Sequence, residues 1–458
     1  MCFVALAASH TALGRATLGP VESLRREGLS LPWTRVGRAG AVQPEILDLV
    51  AANTDTPGEF LEDLWAQVHS LRAGQAVMEG LVDHSGPEVL NRVWENLGGG
   101  CRRALAGILS RLGAGTAEGR VAPFAVRVMR EGEGALVSVE AQDHVPRPPL
   151  TPALARAAVR AALREVLTAE APGMSVLGGW ADAVRVEGSW NPPSPGIGAA
   201  RFTGARELAD AILAAFAETL PHLTHAPDAG GLLLDLRGER EDGSRYRMRL
   251  ELGGGLGASV FGDGLTHAGS PFQPQRLRSV EDLERAAPLR VLRFALRPDS
   301  GGPGQYRGGL GAALELLLLE GRAEADILLP GRAAGLRGGM RGTGARLVLA
   351  TPEEGMREEQ EPAQVSLGLR AGHRLSLESP GGGGWGIPYQ RSIMRVEEDL
   401  VGGVITRDQS KNRYGVVLKP SAQARGLEKD DHLTYRIRHY LLTTLAVEDI
   451  IAGEELLD

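Results

Sequence analysis

Glycine gathers into three dense clusters in this chain, and those clusters limit its fold more than any other feature. The first is Gly253-Gly254-Gly255-Leu256-Gly257-Ala258 with Gly262-Asp263-Gly264 close behind. The second lies within Leu296-Arg297-Pro298-Asp299-Ser300-Gly301-Gly302-Pro303-Gly304-Gln305-Tyr306-Arg307-Gly308-Gly309-Leu310-Gly311, and the third is Ser379-Pro380-Gly381-Gly382-Gly383-Gly384-Trp385-Gly386. Lacking a Cβ, glycine permits positive φ and lets another backbone come very close. Each cluster adjoins an apolar run suited to a buried strand, such as Ala312 to Leu319 after the second. The expectation is tight irregular turns with backbone packed on backbone in several places. The competing reading is a nest of amide N–H groups presented to an anion. Arg297 and Arg307 are expected to pair with Asp299 and pin the second turn.

Outside the clusters, periodicity separates helical from extended segments. Thr56-Pro57-Gly58-Glu59 has the form of a capping box with proline at the first helical position. Phe60, Leu64, Val68, Leu71, Met78 and Leu81 follow at helical spacing. Ser85-Gly86-Pro87-Glu88 repeats the device ahead of Val89, Val93 and Leu97, so a long helical hairpin is expected. Phe124, Val126 and Val128 alternate with other residues and Leu136 to Val139 forms a second run, which reads as a β-hairpin. Thr151-Pro152 caps a further helix, 184–187 reads as a strand, Asn191-Pro192-Pro193 as a turn, and 204–220 as a helix. Residues 230–380 are strand-rich, with a turn at Ala371-Gly372-His373-Arg374 and a solvated acidic loop from Glu353 to Glu361. The fold class is therefore α+β (mixed α/β): a long helical hairpin with large strand-rich, glycine-rich domains. At 458 residues the chain exceeds one typical core. The expected division is 1–43 (a strand from Met1 to Ala8, then irregular), 44–115 helical hairpin, 116–330 mixed core, 331–418 β-rich, and 419–458 a C-terminal appendage.

Composition removes several functions. A net charge of -7 without a basic stripe argues against nucleic acid. No run approaches the ~18 apolar residues needed to span a bilayer, and the start lacks the basic region of a signal peptide. Two cysteines, Cys2 and Cys101, fit a cytoplasmic protein, with Cys101 a packed and inert thiol. Lysine occurs only at Lys411, Lys419 and Lys429, which makes an amine catalyst further upstream improbable. There is no GxxxxGK[ST], HExxH or GxSxG motif. Among ten histidines only His222 and His225 stand close together. They suit a metal less well than a loop surface.

The second and third glycine segments together resemble the hallmark of the hydantoinase B and 5-oxoprolinase family. Ile46 to Gln67, Ser189-Trp190-Asn191-Pro192, and Val404 to Leu418 with Tyr414-Gly415-Val416-Val417 extend the likeness over roughly residues 1–418. The resemblance implies a B-type subunit that helps hydrolyse a cyclic amide, after an A-type subunit has bound ATP and phosphorylated it. Related complexes carboxylate ketones at the expense of ATP. Partners would be an A-type or a full-length B-type subunit, in a hetero- or homo-oligomer.

The chain also departs from the pattern. A family stretch ahead of its first residue has no counterpart here. Ser9-His10-Thr11-Ala12-Leu13-Gly14-Arg15 stands where relatives hold a divalent metal, and only His10 remains of the ligands. One histidine does not make a site. Asp143-His144-Val145-Pro146-Arg147 keeps only the aspartate of another motif. The implied candidates are His10 for metal, and Asp143, Asn191, Asp263, His267, Asp299 and Arg307 for catalysis. His267, beside a glycine loop, is the candidate general base, with an ordinary loop histidine the competing reading. Glycine and packing motifs persist while polar ones erode, so a catalytically degenerate scaffold or regulatory paralogue is the alternative to a working subunit. A start placed too late in the gene is a third. An exposed apolar surface is expected wherever a partner belongs.

Overall fold

The computed structural model describes residues 34–38, 41–53, 57–141, 150–174, 176, 179–188, 200–268, 278–352, 355–360, 363–420 and 427–444. The candidates His10, Asp143 and Asn191 lie outside these residues, as do the strand expected at 1–8 and the turn at 191–193.

A short helix α1 (Pro44–Ala51) precedes two long ones, α2 (Pro57–Ser85) and α3 (Pro87–Ser110). α2 starts on proline, where a missing N–H costs nothing. The start of α3 differs from the expected serine cap. Its N-cap is Gly86, at φ 78° and without a side-chain cap bond. Gly86 N–H donates to the Val82 carbonyl at 2.8 Å, so one glycine closes α2 and opens α3. The later half of α3 is core, with Cys101, Leu105, Ile108 and Leu109 fully buried. Of the described α2 side chains only Phe60 is buried, and it is not fully so.

The first layer is a sheet of order β1-β2-β3-β4, formed by Thr116–Val121, Phe124–Glu131, Gly134–Ala141 and Val184–Gly188. β2 and β3 are the expected hairpin, running from Phe124↔Ala141 to Glu131↔Gly134. β4 lies parallel to β3, with Ala135 opposite Val184. Parallel neighbours need a crossover, and helix α4 (Pro152–Glu170) supplies it. The Thr151 hydroxyl accepts from Leu154 N–H at 3.2 Å, a cap contributing about 1 kcal/mol. α4 and helix α5 (Ala200–Ala217) bury Leu163, Val166, Leu208, Ile212 and Phe216 with Val126, Val128 and Val137 from the sheet.

The second half is a sandwich. One sheet has order β11-β10-β13-β8-β7 and the other β12-β9-β5-β6. In chain order these strands are β5 (Leu232–Glu239), β6 (Arg245–Leu252), β7 (Leu289–Leu296), β8 (Ala312–Leu318), β9 (Arg322–Leu329), β10 (Arg346–Thr351), β11 (Gly355–Gln360), β12 (Ala363–Arg370) and β13 (Arg374–Glu378). Leu234, Leu250 and Ile327 of one sheet share a core with Leu314, Leu316, Leu347 and Leu377 of the other. Both sheets take strands from either side of the expected 330/331 boundary, so hydrogen bonding joins those segments. Within the acidic stretch expected as a loop, residues 355–360 form β11, which pairs with β10 from Arg346↔Gln360 to Thr351↔Gly355. β11 is an edge strand, where charge discourages pairing with another chain. The turn at 371–373 is as expected, with Gly372 at φ 88°.

Helix α6 (Val280–Ala286) leads into β7, and past the sandwich come helices α7 (Ile393–Val401) and α8 (Arg407–Asn412), a short ladder of Leu418–Pro420 with Leu427–Lys429, and helix α9 (Asp431–Thr444). Val396, Ile405, Tyr414 and Val416 form a small core under them. α9 is fastened by Arg438, which donates to the Tyr414 and Arg391 carbonyls, each at 2.9 Å. No helix among the described residues is long and apolar enough to cross a membrane.

Candidate functional site

The three glycine clusters meet. Gly302 N–H donates to Gly382 (2.8 Å), Gly382 to Gly309 (3.0 Å), Gly309 to Leu256 (2.8 Å) and Gly255 to Pro380 (2.9 Å), each time to the carbonyl. A Cβ on Gly309 would lie 1.9 Å from the Leu265 carbonyl oxygen, and one on Gly255 would lie 1.8 Å from that of Gly309. The close backbone packing read from the sequence is what these segments do. Their amides donate to one another's carbonyls, so an anion cradle is not what these four N–H groups build. Two fully buried serines brace the net. Ser300 Oγ donates to the Arg297 carbonyl at 2.6 Å, and Ser379 Oγ to that of Gly253 at 2.5 Å.

Beside the net sits a knot of ion pairs. Arg391, 1% exposed, grips Asp263 with two bonds, Nη1–Oδ1 at 2.6 Å and Nη2–Oδ2 at 2.7 Å. Its Nη2 also reaches Asp399 Oδ2 at 2.7 Å. Arg307 completes the group, with Nε 3.5 Å from Asp399 Oδ2 and Nη2 3.8 Å from Asp263 Oδ2. The backbone N–H of Arg307 donates to Asp263 Oδ1 at 2.7 Å. Burial works to raise the Asp263 pKa, but Arg391 and Arg307 outweigh it and hold the carboxyl below its usual range. Burial likewise opposes the charge on Arg391, and Asp263 and then Asp399 more than restore it. Tyr414 lies under Arg391, and burial pushes its phenol up, so the hydroxyl stays neutral.

The structure therefore unites Asp263 and Arg307 but separates Asp299 from both arginines expected to pin it. Arg297 pairs with Glu378 at 3.0 Å and donates to the Gly344 carbonyl at 2.5 Å. Asp299, at φ 61°, accepts from Thr406 N–H at 2.7 Å and so steadies the start of α8. Asp263 has its lone pairs committed and its proton affinity lowered, which makes it a poor base. His267 is different. Its Nδ1 stands 3.0 Å from the Gly253 carbonyl, which only accepts, so the neutral ring carries its proton on Nδ1 and leaves Nε2 as an acceptor. Its ring meets Phe294 edge-on at 5.7 Å. Among the described candidates, His267 retains the atom a general base needs.

Another titratable cluster went unread in the sequence. His225 Nε2 lies 3.2 Å from Glu165 Oε2, and its Nδ1 lies 2.7 Å from the Ala226 carbonyl. Burial lowers the His225 pKa, but Glu165 reverses that and raises it to about 9. Behind it, Arg206 donates to the Asp228 carbonyl and approaches Asp210 Oδ2 at 3.7 Å. Burial, then the charge of Asp228, pushes Asp210 well up, and burial raises Glu207 to about 7 against the pull of Arg206. His225 is thus an ion-pair partner, and no group of three His, Cys, Asp or Glu among the described residues could hold a metal ion. Arg391, Asp399 and Glu165 were missed because their partners lie 128, 8 and 60 residues away, with no local pattern to announce them.

These groups predict a pH dependence of stability. His225 keeps its proton more tightly in the folded chain, to about pH 9, than at its ordinary 6.5. The pair with Glu165 is complete below about pH 6.5 and is lost as pH rises through about 9. Glu207 shifts the same way, from 4.5 to about 7, so ionising it costs stability as pH rises through that window. The urea midpoint is expected to fall steadily from pH 5 to 9.5. A His225→Gln variant should flatten the limb above pH 7 while leaving the lower one. A wild-type midpoint constant across this range would refute the assignment.

A profile of the hydantoinase B/oxoprolinase family matches residues 1–388, and the chain belongs to that family. The caprolactamase subunit beta of Pseudomonas jessenii is 29% identical over 235 residues, covering 48% of this chain and 40% of that subunit. The chain thus spans about two fifths of such a relative. Among solved structures, nucleotide-free acetone carboxylase superposes with a TM-score of 0.76 at 17% identity, covering 97% of this chain and 69% of that one. The ATP-dependent caprolactamase of Pseudomonas jessenii gives 0.71 at 21% identity, covering 92% and 76%. These superpositions show a shared fold.

Proposed function

We propose that this chain is the B-type subunit of an ATP-dependent cyclic-amide hydrolase, acting on a ring carbonyl that an A-type partner activates. The observation that carries the reading is the family match over residues 1–388. In this scheme the glycine net and the Arg391 knot form a rigid frame, and His267 Nε2 takes a proton from attacking water. The partner binds ATP. The test is coexpression with an A-type subunit, followed by ATP-dependent ring opening of 5-oxoproline, hydantoin and caprolactam. Turnover is expected only with both chains present. His267→Gln should lower kcat by about 100-fold with little change in KM, the usual scale for losing a positioned base. No turnover on any ring, but bicarbonate-dependent carboxylation of a ketone, would move the chain to the related carboxylases.

A second reading is favoured by a specific observation. Asp263, Asp299 and Arg307 are committed to structural bonds, which is what a non-catalytic scaffold of the same fold would show. A complex that forms with the A-type chain and turns over equally well with His267→Gln would support it.

A further inference from the structure

We propose that α2 is an interface between two copies of this chain, paired antiparallel as a two-stranded coiled coil. Leu61, Leu64, Val68, Leu71, Gln75, Met78 and Val82 recur at alternating spacings of three and four, the a and d positions of three heptads. All six apolar members are only partly buried in the single chain. Among the described elements, α2 has substantial contacts with α1 and α3 alone. The helix is about 43 Å long at 1.5 Å per residue, and the seam runs along most of it, from Leu61 to Val82. Flanking it, Trp65, Val77 and Leu81 are 37%, 63% and 40% exposed.

The choice of a second copy rests on self-complementarity. In an antiparallel pair each a residue faces a d residue of the other helix. Setting Gln75 opposite Met78 of the second copy also sets Leu71 opposite Val82 and Val68 opposite Ser85, the last residue of α2, so the two helices overlap over 68–85. The flanking positions then match without adjustment. Arg72 faces Glu79 of the other copy, twice by symmetry. Leu81 faces the bare backbone of Gly74. Glu79 is already held beside the seam by Gln75, whose Nε2 donates to it at 2.8 Å. A parallel pair would set Gln67 beside Arg72 and Gly74 beside Glu79, with no opposite charges meeting. Both charge and size therefore select the antiparallel arrangement.

Sedimentation velocity on the full chain tests this. The wild type is expected to be a dimer at micromolar concentration, and Leu71→Glu a monomer. Arg72→Glu, at an exposed rim position, should weaken the dimer about tenfold by turning two attractions into repulsions. Arg72→Glu with Glu79→Arg should return it to within about threefold of wild type. Mixing a Gln75→Cys chain with a Met78→Cys chain should give a disulfide-linked pair that neither forms alone. A wild-type monomer overturns the proposal, as does a dimer indifferent to Leu71→Glu. A double charge swap no better than the single one overturns the register and with it the interface. None of these outcomes depends on enzymatic activity.

Discussion

An Arg391→Met variant is expected to lose about 3–5 kcal/mol of stability, the scale for removing one partner of a buried ion pair. Arg391 supplies three short bonds to Asp263 and Asp399, and donates to the Gln305 carbonyl at 3.3 Å. Methionine fills part of the volume but leaves the two carboxylates facing each other with only the longer side-chain contacts to Arg307 and, for Asp263, the N–H of that residue. Lysine should rescue poorly, because an ammonium cannot grip a carboxylate bidentately while reaching a second one. The unfolding midpoint of Arg391→Met should fall by roughly 10 °C, given several degrees per kcal/mol for a cooperative unit of this size. Surface pairs provide the contrast. Arg346 with Glu358 has bonds of 2.8 and 3.0 Å, yet its side chains are 39% and 42% exposed. Its removal should change the midpoint by little, as exposed pairs contribute about 0–1 kcal/mol. A shift below 2 °C for Arg391→Met would mean that the knot is incidental to folding.

The sequence announced those parts of this fold that are written locally. Helix α4 was legible from Thr151-Pro152 and its apolar period, and the structure shows that cap bond. The β2–β3 hairpin was legible from alternation in its first strand and an apolar run in its second. Errors arose where a local signal competed with a tertiary one. Glu353 to Glu361 has the composition of a solvated loop, but β10 offers an unpaired edge, and an exposed edge strand accepts charge. Ser85 looked like a cap, but the chain bends one residue later, at a φ that only glycine adopts easily. The site was less legible than the fold. Asp263 and Arg307 stood out as candidates beside glycine clusters, but the sequence set Arg307 against Asp299, and only the structure brings it to Asp263. That Arg391 and Asp399 complete the group was not legible, because ion pairs across 128 residues have no spacing rule. Asp299 was assigned the wrong partners because nearness in sequence stood in for nearness in space.

The glycine net carries the other large expected effect, and it tests the same point from the backbone side. Gly309→Ala sets a methyl 1.9 Å from the Leu265 carbonyl oxygen and 3.0 Å from the Leu256 nitrogen. No side-chain rotation relieves a contact with backbone, so the 253–265 segment or the 301–311 segment must move. Either movement breaks bonds of the net, among them Gly309 N–H to Leu256 O and Gly382 N–H to Gly309 O. The expected loss exceeds about 4 kcal/mol, in the range reserved for overpacking combined with lost buried hydrogen bonds. The variant should therefore be recovered mainly as insoluble protein. Gly262→Ala is the matched control, since a Cβ there meets nothing within 4 Å. It should stay within about 0.5 kcal/mol of wild type. Gly262 is one residue from Asp263, so the comparison also holds composition and neighbourhood nearly constant. If Gly309→Ala were as soluble and stable as Gly262→Ala, the segments would not be packed backbone to backbone, and the frame assigned to them would have to be abandoned. If the two differ as expected, the density of glycine here reflects steric need at individual positions, and a second residue of any kind is excluded at Gly309 for a reason independent of catalysis.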